Sequence, residues 1–166
     1  HGHDDHAGKG MEEFLNAGCN VYVPEKDWPL LAETYEEKKS QIIFLTEAMC
    51  DRLSSSGQVV AGKEHYNFCL GGIIVQIIKM PGHTSGSLLV WVSEWNTLLT
   101  SDAIGAGVLW MQLPECSSLT EYRPEVEKLL TFLEREKART GKEVRIYPGH
   151  AQQILSDVEE TGTEQY

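Results

Sequence analysis

The sequence predicts an α/β fold, in which helices cover the faces of a central β-sheet. Between residues 66 and 100 the chain contains four short runs that are apolar or β-branched, and turn residues separate them. A segment with the periodicity of an amphipathic helix follows after residue 118, and then one more strand-like run. This alternation indicates a layered α/β sandwich around one core.

The predicted elements follow one another as short strands and helices. In chain order they are an extended segment at 1–6, a helix at 11–17 that Gly18 ends, a strand at 20–23, one or two helical turns at 26–32 perturbed by Pro29, an apolar patch at 42–45, a loop at 54–57, strands at 66–70, 73–80, 87–92 and 97–100, a loop at 105–118, a helix, and a strand at 143–147.

The last predicted helix has the clearest pattern. Pro124 suits a first helical turn, where its missing N–H is not needed, and Gly141 ends the helix after basic Lys137 and Arg139. One face carries the apolar stripe that we expect to be buried, formed by Val126, Leu129, Leu130, Phe132 and Leu133.

Composition predicts one domain over residues 1–166, because 166 residues is about one domain in length. No run of about 18 apolar residues exists, so we expect no membrane contact. The four cysteines are widely spaced, which favours free thiols in the reducing cytoplasm; two disulfides are the alternative.

Charge restricts the class of substrate. The chain has 14 Lys and Arg against 25 Asp and Glu, a formal net charge of −11, and it has no basic cluster with interleaved aromatic residues. A polyanion would be repelled, so we expect no nucleic-acid partner. A small neutral molecule is the expected substrate.

Metal-ligand residues are concentrated at four places in the chain. Five of the six histidines and two aspartates lie there, namely His1, His3, Asp5 and His6 in the opening run, His83 in a Gly-His-Thr-Ser-Gly-Ser motif, Asp102 and His150. Imidazole and carboxylate ligands of this number are an inventory for two metal ions. An affinity-tag remnant or solvated terminus is the alternative for the opening run, but it does not account for the downstream histidines.

The opening run has a spacing that fits metal binding. In an extended segment, alternate side chains point the same way, so His1, His3 and Asp5 share a face. His6 can join them only where the segment gives way to a loop.

These motifs, in this order, resemble the metallo-β-lactamase superfamily. The resemblance implies an αββα sandwich in which His1, His3 and His83 hold one metal ion, and Asp5, His6 and His150 hold a second. It assigns the bridging carboxylate to Asp102. It also implies a missing part, because family members place a half-sheet before the first ligand. We therefore expect an N-terminal segment beyond this sequence, or a second subunit, to cover the sheet.

The resemblance implies a binuclear hydrolase with two divalent metal ions, zinc above all, with iron or manganese as alternatives. A bridging hydroxide would attack a small ester, lactone, thioester or similar substrate. Asp5 is the expected catalytic residue that orients this nucleophile and transfers its proton.

Individual subfamilies fit less well. β-Lactamases of the family carry Cys or Ser at the position of Asp102, lactonases carry Tyr at that of Gly105, and glyoxalase II enzymes continue beyond the last histidine by more than the 16 residues present here. An iron-dependent sulfur dioxygenase or di-iron oxidoreductase is the alternative function, although flavin-linked di-iron relatives carry Glu at the position of His3. An inactive fragment that retains the ligands is a further alternative.

The apolar loop at 108–114, framed by Gly105 and Gly107, is a candidate substrate contact. Trp110 either lines a pocket for an apolar group or packs against the sheet together with Met111. The sixth histidine, His65, is expected at the surface.

Overall fold

The computed structural model describes residues 1–66, 68–105 and 109–150. It contains helices α1 (Asp4–Asn16), α2 (Trp28–Tyr35) and α3 (Leu119–Thr140), and strands β1 (Val21–Pro24), β2 (Ile42–Leu45), β3 (Arg52–Leu53), β4 (Val59–Val60), β5 (Phe68–Leu70), β6 (Ile73–Lys79), β7 (Leu88–Val92), β8 (Thr97–Ser101) and β9 (Arg145–Pro148). The four strands that the sequence predicts between residues 66 and 100 are therefore confirmed, with boundaries one or two residues different.

A five-stranded sheet in the order β5-β6-β7-β8-β9 forms the centre of the fold. Neighbouring strands are antiparallel except β8 and β9, which are parallel. The chain can place β9 beside β8 in this direction only through a crossover, and α3 supplies it. As a result, β6, β8 and β9 all end at the same edge of the sheet.

Helix α3 covers one face of this sheet. Leu129 and Phe132 are buried against Ile78, Leu89 and Leu98 of the strands.

The predicted start of α3 is wrong, because the helix begins at Leu119 and Pro124 lies inside it. Ser118 and Glu121 form a reciprocal capping box that satisfies the first backbone N–H groups, and this fixes the earlier start.

One member of the predicted buried stripe on α3 is also wrong. Leu130 is 56% exposed, whereas its neighbour Leu129 is buried. Consecutive residues point about 100° apart around a helix, so a stripe centred on Leu129 and Phe132 leaves Leu130 at its outer margin.

A second layer faces the opposite side of the sheet. Strands β1 and β2 pair in parallel, and α1 and α2 pack on them through a separate apolar cluster. That cluster contains Met11, Leu15, Val23, Leu31, Tyr35 and Ile42. The expected perturbation by Pro29 is wrong. Pro29 lies in the first turn of α2, where a proline is compatible with a helix.

Helix α1 begins earlier than the sequence predicts. Only His1 to His3 are extended, and Asp4 starts the helix, with Asp4 and Asp5 in its first turn. Carboxylates are favourable there because the N-terminal end of a helix carries partial positive charge. Asp5 and His6 therefore lie on a helical turn rather than on an extended segment. The helix is kinked at Gly8, whose carbonyl accepts a hydrogen bond from the Tyr35 hydroxyl.

An apolar cleft of about 780 Å³ separates the two layers. Its walls include Met11 and Phe14 of α1 on one side and Val75, Val90 and Leu99 of the sheet on the other. Phe14 and Leu99, which line this cleft, are both exposed.

All four cysteines are free thiols, as the spacing predicts, although only Cys50 is buried. Among residues 1–66, 68–105 and 109–150, no helix has the length and apolar character that crossing a bilayer requires.

Candidate metal centre

The sheet topology brings the candidate ligands together. His83 lies in the loop after β6, Asp102 directly follows β8, and His150 follows β9. Because these three strands end at one edge of the sheet, their loops share one rim. The segment from His1 to His6 crosses the same rim, with His1 held by a hydrogen bond of 2.9 Å between its Nδ1 and Ser101 Oγ.

The first cluster contains His1, His3 and His83. One nitrogen from each lies within 4.8 Å of the others, and His3 Nδ1 is 2.9 Å from His83 Nε2. His1 Nε2 is buried and has no hydrogen-bond partner among the described residues. Three imidazoles that converge in this way fit a divalent ion such as zinc.

The second cluster contains Asp5, His6 and His150. His6 Nε2 and His150 Nε2 are 3.1 Å apart. Asp5 Oδ2 is 3.3 Å from His150 Nε2 and 3.7 Å from His6 Nε2. This cluster is more exposed than the first, since both Asp5 and His6 reach solvent.

Asp102 lies between the two clusters. Its Oδ2 is 3.1 Å from His150 Nε2 and 3.2 Å from His6 Nε2 in the second cluster. In the first cluster the same oxygen is 3.5 Å from His83 Nε2 and 3.8 Å from His1 Nε2. Its Oδ1 is buried and has no partner among the described residues. Buried polar atoms without partners on His1 and Asp102, and an Asp102 oxygen close to histidines of both clusters, fit two cations that share a carboxylate.

Each histidine of the first cluster has a hydrogen-bond acceptor on the nitrogen that faces away from the other two. His83 Nδ1–H donates to the Trp110 carbonyl at 2.7 Å, and His3 Nε2–H donates to Glu115 Oε1 at 2.6 Å. His1 Nδ1 contacts Ser101 Oγ. Such partners fix the tautomer, leaving the unprotonated nitrogen for a metal. Burial favours a raised pKa for Glu115, but hydrogen bonds from His3 and the backbone outweigh it and lower the pKa below its usual value.

Asp27 joins two of the segments that carry candidate metal ligands, the one around Gly2 and the one that follows His83. This carboxylate is 1% exposed and accepts hydrogen bonds of 2.9 Å from Gly2 N–H, Thr84 Oγ1 and Gly86 N–H. Gly2 lies between His1 and His3, and Thr84 follows His83. Sequence reasoning missed Asp27, because its partners are mostly backbone groups that carry no side-chain signal.

Gly82 and Gly86, on either side of His83, allow other groups to approach the backbone closely. A Cβ on Gly86 would lie 2.4 Å from Asp27 Oδ1, and one on Gly82 would lie 2.4 Å from the Tyr122 ring. The Tyr122 hydroxyl donates to the Ala103 carbonyl at 2.6 Å, and burial raises its pKa to about 12. Helix α3 thereby holds the residue next to Asp102.

Trp110 and Met111, the two large apolar side chains in the loop after Asp102, differ in burial. Met111 packs against the core, but the Trp110 side chain is 59% exposed, so packing against the sheet is wrong for Trp110. Its backbone carbonyl accepts a hydrogen bond from His83 Nδ1. Gly107 and Val108 lie outside the described residues.

His65 is partly buried rather than a surface residue, which corrects the sequence expectation. Its Nδ1 is 2.6 Å from Oδ1 of Asp51, a carboxylate that is itself buried. This pair lies apart from both ligand clusters and holds the segment between β4 and β5.

Two curated relatives are similar over most of the chain. A probable polyketide biosynthesis zinc-dependent hydrolase of Bacillus velezensis is 26% identical over 122 residues, which are 73% of this chain and 50% of that protein. The hydroxyacylglutathione hydrolase of Methylococcus capsulatus is 27% identical over 162 residues, which are 91% of this chain and 52% of that protein. The chain thus spans about half the length of these relatives.

Solved structures share the fold. A metallo-β-lactamase from Pontibacter korlensis superposes with a TM-score of 0.52 and 20% identity, over 89% of this chain and 57% of that chain. A protein crystallised in a di-iron-bound form gives a TM-score of 0.54 and 19% identity, over 97% of this chain and 72% of that chain.

The family model described as the metallo-β-lactamase superfamily matches residues 1–150, which include every candidate ligand. The αββα layering and the four ligand motifs agree with that match, and the chain belongs to the metallo-β-lactamase superfamily.

Proposed function

We propose that this protein is a metal-dependent hydrolase with a binuclear centre, which cleaves a small ester, lactone, thioester or similar substrate. The observation that carries the proposal is the position of Asp102 Oδ2, within 3.8 Å of histidine nitrogens from both ligand clusters. The names of the curated relatives, a zinc-dependent hydrolase and a hydroxyacylglutathione hydrolase, support the reaction class.

In this proposal His1, His3 and His83 would hold the first ion and Asp5, His6 and His150 the second, with Asp102 contributing to both sites. When bound, divalent ions of this kind supply Lewis acidity and lower the pKa of water from nearly 16 to about 7, so that hydroxide is available at neutral pH. Zinc is the expected metal, and the same imidazole and carboxylate ligands accept iron and manganese.

Asp5 is exposed to solvent, as a residue that transfers protons to and from water must be. Its carboxylate is exposed, and its Oδ2 stands 3.3 Å from His150 at the open side of the second cluster. We therefore assign it to orienting the attacking water and accepting its proton. Trp110 has an exposed side chain, and its backbone carbonyl bonds to His83 of the first cluster, so it is the proposed contact for an apolar part of the substrate.

The proposed partner is a small uncharged molecule. The chain has a formal net charge of −11, which opposes nucleic acids and other polyanions. A substrate that carries no net charge escapes this repulsion and can present a carbonyl oxygen to the centre.

Metal content is the first test of this function. We expect elemental analysis of the purified protein to find about two zinc ions per chain, together with hydrolysis of at least one class in a panel of esters, lactones and thioesters. One iron ion per chain with oxygen consumption would instead indicate an iron-dependent dioxygenase. Absence of bound metal after incubation with zinc, iron and manganese would contradict the binuclear centre.

The role of Asp5 can be separated from metal binding by Asp5→Asn. We expect turnover to fall by roughly 10²- to 10⁴-fold, because the amide cannot accept the proton of the attacking water. Activity is measured at full metal occupancy, which is verified for each preparation.

Asp4→Asn is the matched control, since Asp4 is exposed in the same helical turn but belongs to neither cluster. Its activity should remain within about twofold of that of the unmodified protein, as expected for a surface change away from the site. Unchanged turnover in metal-replete Asp5→Asn would exclude the proposed role.

A further inference from the structure

We propose that Glu115 is a positioning residue that strengthens metal binding at the first site by holding the imidazole of His3. This inference rests on the proposed binuclear centre and adds to it a residue outside the ligand motifs. Glu115 touches no other candidate ligand in the described residues, so its effect would be transmitted through His3.

The contact has the geometry of a strong hydrogen bond. Glu115 Oε1 is 2.6 Å from His3 Nε2, while His3 Nδ1 is 2.9 Å from His83 Nε2 inside the cluster. The two nitrogens of His3 therefore have different tasks. A proton on Nε2 is shared with the carboxylate, which leaves Nδ1 unprotonated and directed at the metal position.

Glu115 differs chemically from the partners of the other two histidines of the cluster. His1 meets a hydroxyl and His83 meets a carbonyl, both neutral. A carboxylate is a stronger acceptor, and it increases electron density on the ring, which makes the opposite nitrogen a better ligand. Among the outward hydrogen bonds of the three imidazoles, only that of His3 goes to a charged group in the described residues. The strength of His3 as a metal ligand therefore depends on Glu115.

Hydrogen bonds within the protein hold the loop that carries Glu115. Ser117 N–H donates to the Gly82 carbonyl at 2.8 Å, and Cys116 N–H donates to the Leu113 carbonyl at 3.0 Å. The Cys116 thiol donates to the His83 carbonyl at 3.0 Å. Because the bonds to Gly82 and His83 join the loop to the backbone around His83, the protein's own contacts position the carboxylate.

The experiment compares zinc affinity in Glu115→Ala, Glu115→Gln and the unmodified protein. Zinc dissociation constants are measured by competition with a chromophoric chelator, and the absorption bands of bound cobalt(II) report the ligand geometry. We expect Glu115→Ala to weaken one of two binding steps by roughly 10- to 100-fold. Glu115→Gln keeps a neutral acceptor for His3, so we expect it to recover part of the lost affinity.

Two further variants make the result specific. Glu127→Gln removes an exposed carboxylate of α3, remote in the chain from the ligands, and should leave both binding steps unchanged. Asp5→Asn alters a member of the second cluster and should weaken the other step. Circular dichroism and urea unfolding without metal verify that each variant is folded.

The outcomes distinguish this inference from the proposed function. Two zinc ions bound with unchanged affinity in Glu115→Ala would overturn the role of Glu115 and leave the binuclear centre intact. Weakening of the same step by Glu115→Ala and Asp5→Asn would also overturn it. Failure of the unmodified protein to bind zinc or cobalt would overturn both proposals.

Discussion

At the scale of single residues, the metal centre depends on buried groups that are not ligands. Asp27 is the clearest example, because one carboxylate accepts three hydrogen bonds that join the His1–His3 segment to the His83 loop. A buried carboxylate is costly unless its oxygens are well satisfied, and here the donors are two backbone N–H groups and a hydroxyl. Its removal would leave those donors without an acceptor.

We expect Asp27→Ala to lower the free energy of unfolding by about 3 kcal/mol and Asp27→Asn by about 2 kcal/mol. The lost hydrogen bonds to a charged group contribute about 1.5–3 kcal/mol each, but removal of a buried charge recovers part of that loss. Urea denaturation in the presence of a chelator measures this loss without a contribution from metal. Glu134→Gln, an exposed change on α3, is the control and should remain within about 0.5 kcal/mol of the unmodified protein. Equal stability of the unmodified protein and both Asp27 variants would contradict the structural role of Asp27.

The ligand types could be read from the sequence, whereas their supports could not. The seven candidate ligands occur in motifs, and the structure brings all of them to one rim. Glu115 and Asp27 are single acidic residues without a motif, and their partners are set by tertiary folding. Ser101 is similar, since its hydroxyl becomes relevant only when His1 is beside it.

At the scale of elements, the turn between β3 and β4 packs against α3 and helps to hold this helix on the sheet. Gly57 is the residue of closest approach. It has φ +68°, and a Cβ there would lie 2.6 Å from the carbonyl carbon and oxygen of Thr131. Backbone cannot yield as a flexible side chain does, so any substitution must displace the turn or the helix.

Gly57→Ala should therefore destabilise the protein more than Gly71→Ala. Gly71 has a similar φ of +62° but has no atom within 4 Å of the position that a Cβ would take. We expect Gly71→Ala to cost about 1–2 kcal/mol from backbone strain alone, and Gly57→Ala roughly 1–3 kcal/mol more from the clash. Thermal or urea unfolding of the pair provides the comparison, and equal losses would show that Thr131 can move away.

Element types were predictable here, and their ends were less so. The strands from Phe68 to Ser101 follow from runs of apolar residues between turns. The start of α3 was misplaced because Pro124 is compatible with a first turn, although the Ser118–Glu121 capping pattern was visible in the sequence. The start of α1 was misplaced because Asp4 to Gly10 lacks apolar periodicity and the helix there depends on tertiary contacts.

At the scale of the whole molecule, the fold brings imidazoles and carboxylates together in an arrangement that favours binding of a metal cation. Five imidazoles and two carboxylates come together here, and within each group of three candidate ligands the nitrogen and oxygen atoms lie within 4.8 Å of one another. A divalent ion binds this arrangement in the folded protein far better than in the unfolded chain, so metal and folding are linked.

Zinc should consequently stabilise the protein by an amount that depends on its concentration. At a free zinc concentration of about 100 times the Kd, we expect about 2.7 kcal/mol of additional stability per site. Differential scanning calorimetry with and without zinc measures the shift in Tm. Magnesium is the control for charge, because it prefers octahedral oxygen ligands. Equal shifts with both metals would indicate a nonspecific effect on the acidic surface.

The parallel pairing of β8 with β9 has a consequence for how the chain folds. His6 and His150 are 144 positions apart in sequence, yet their Nε2 atoms are 3.1 Å apart. An ion held by both would act as a cross-link between α1 and the segment that follows β9, and contacts of such long range form late in folding. Metal capture would then serve as a checkpoint of folding, because only a chain whose strand β9 has paired with β8 can retain the second ion.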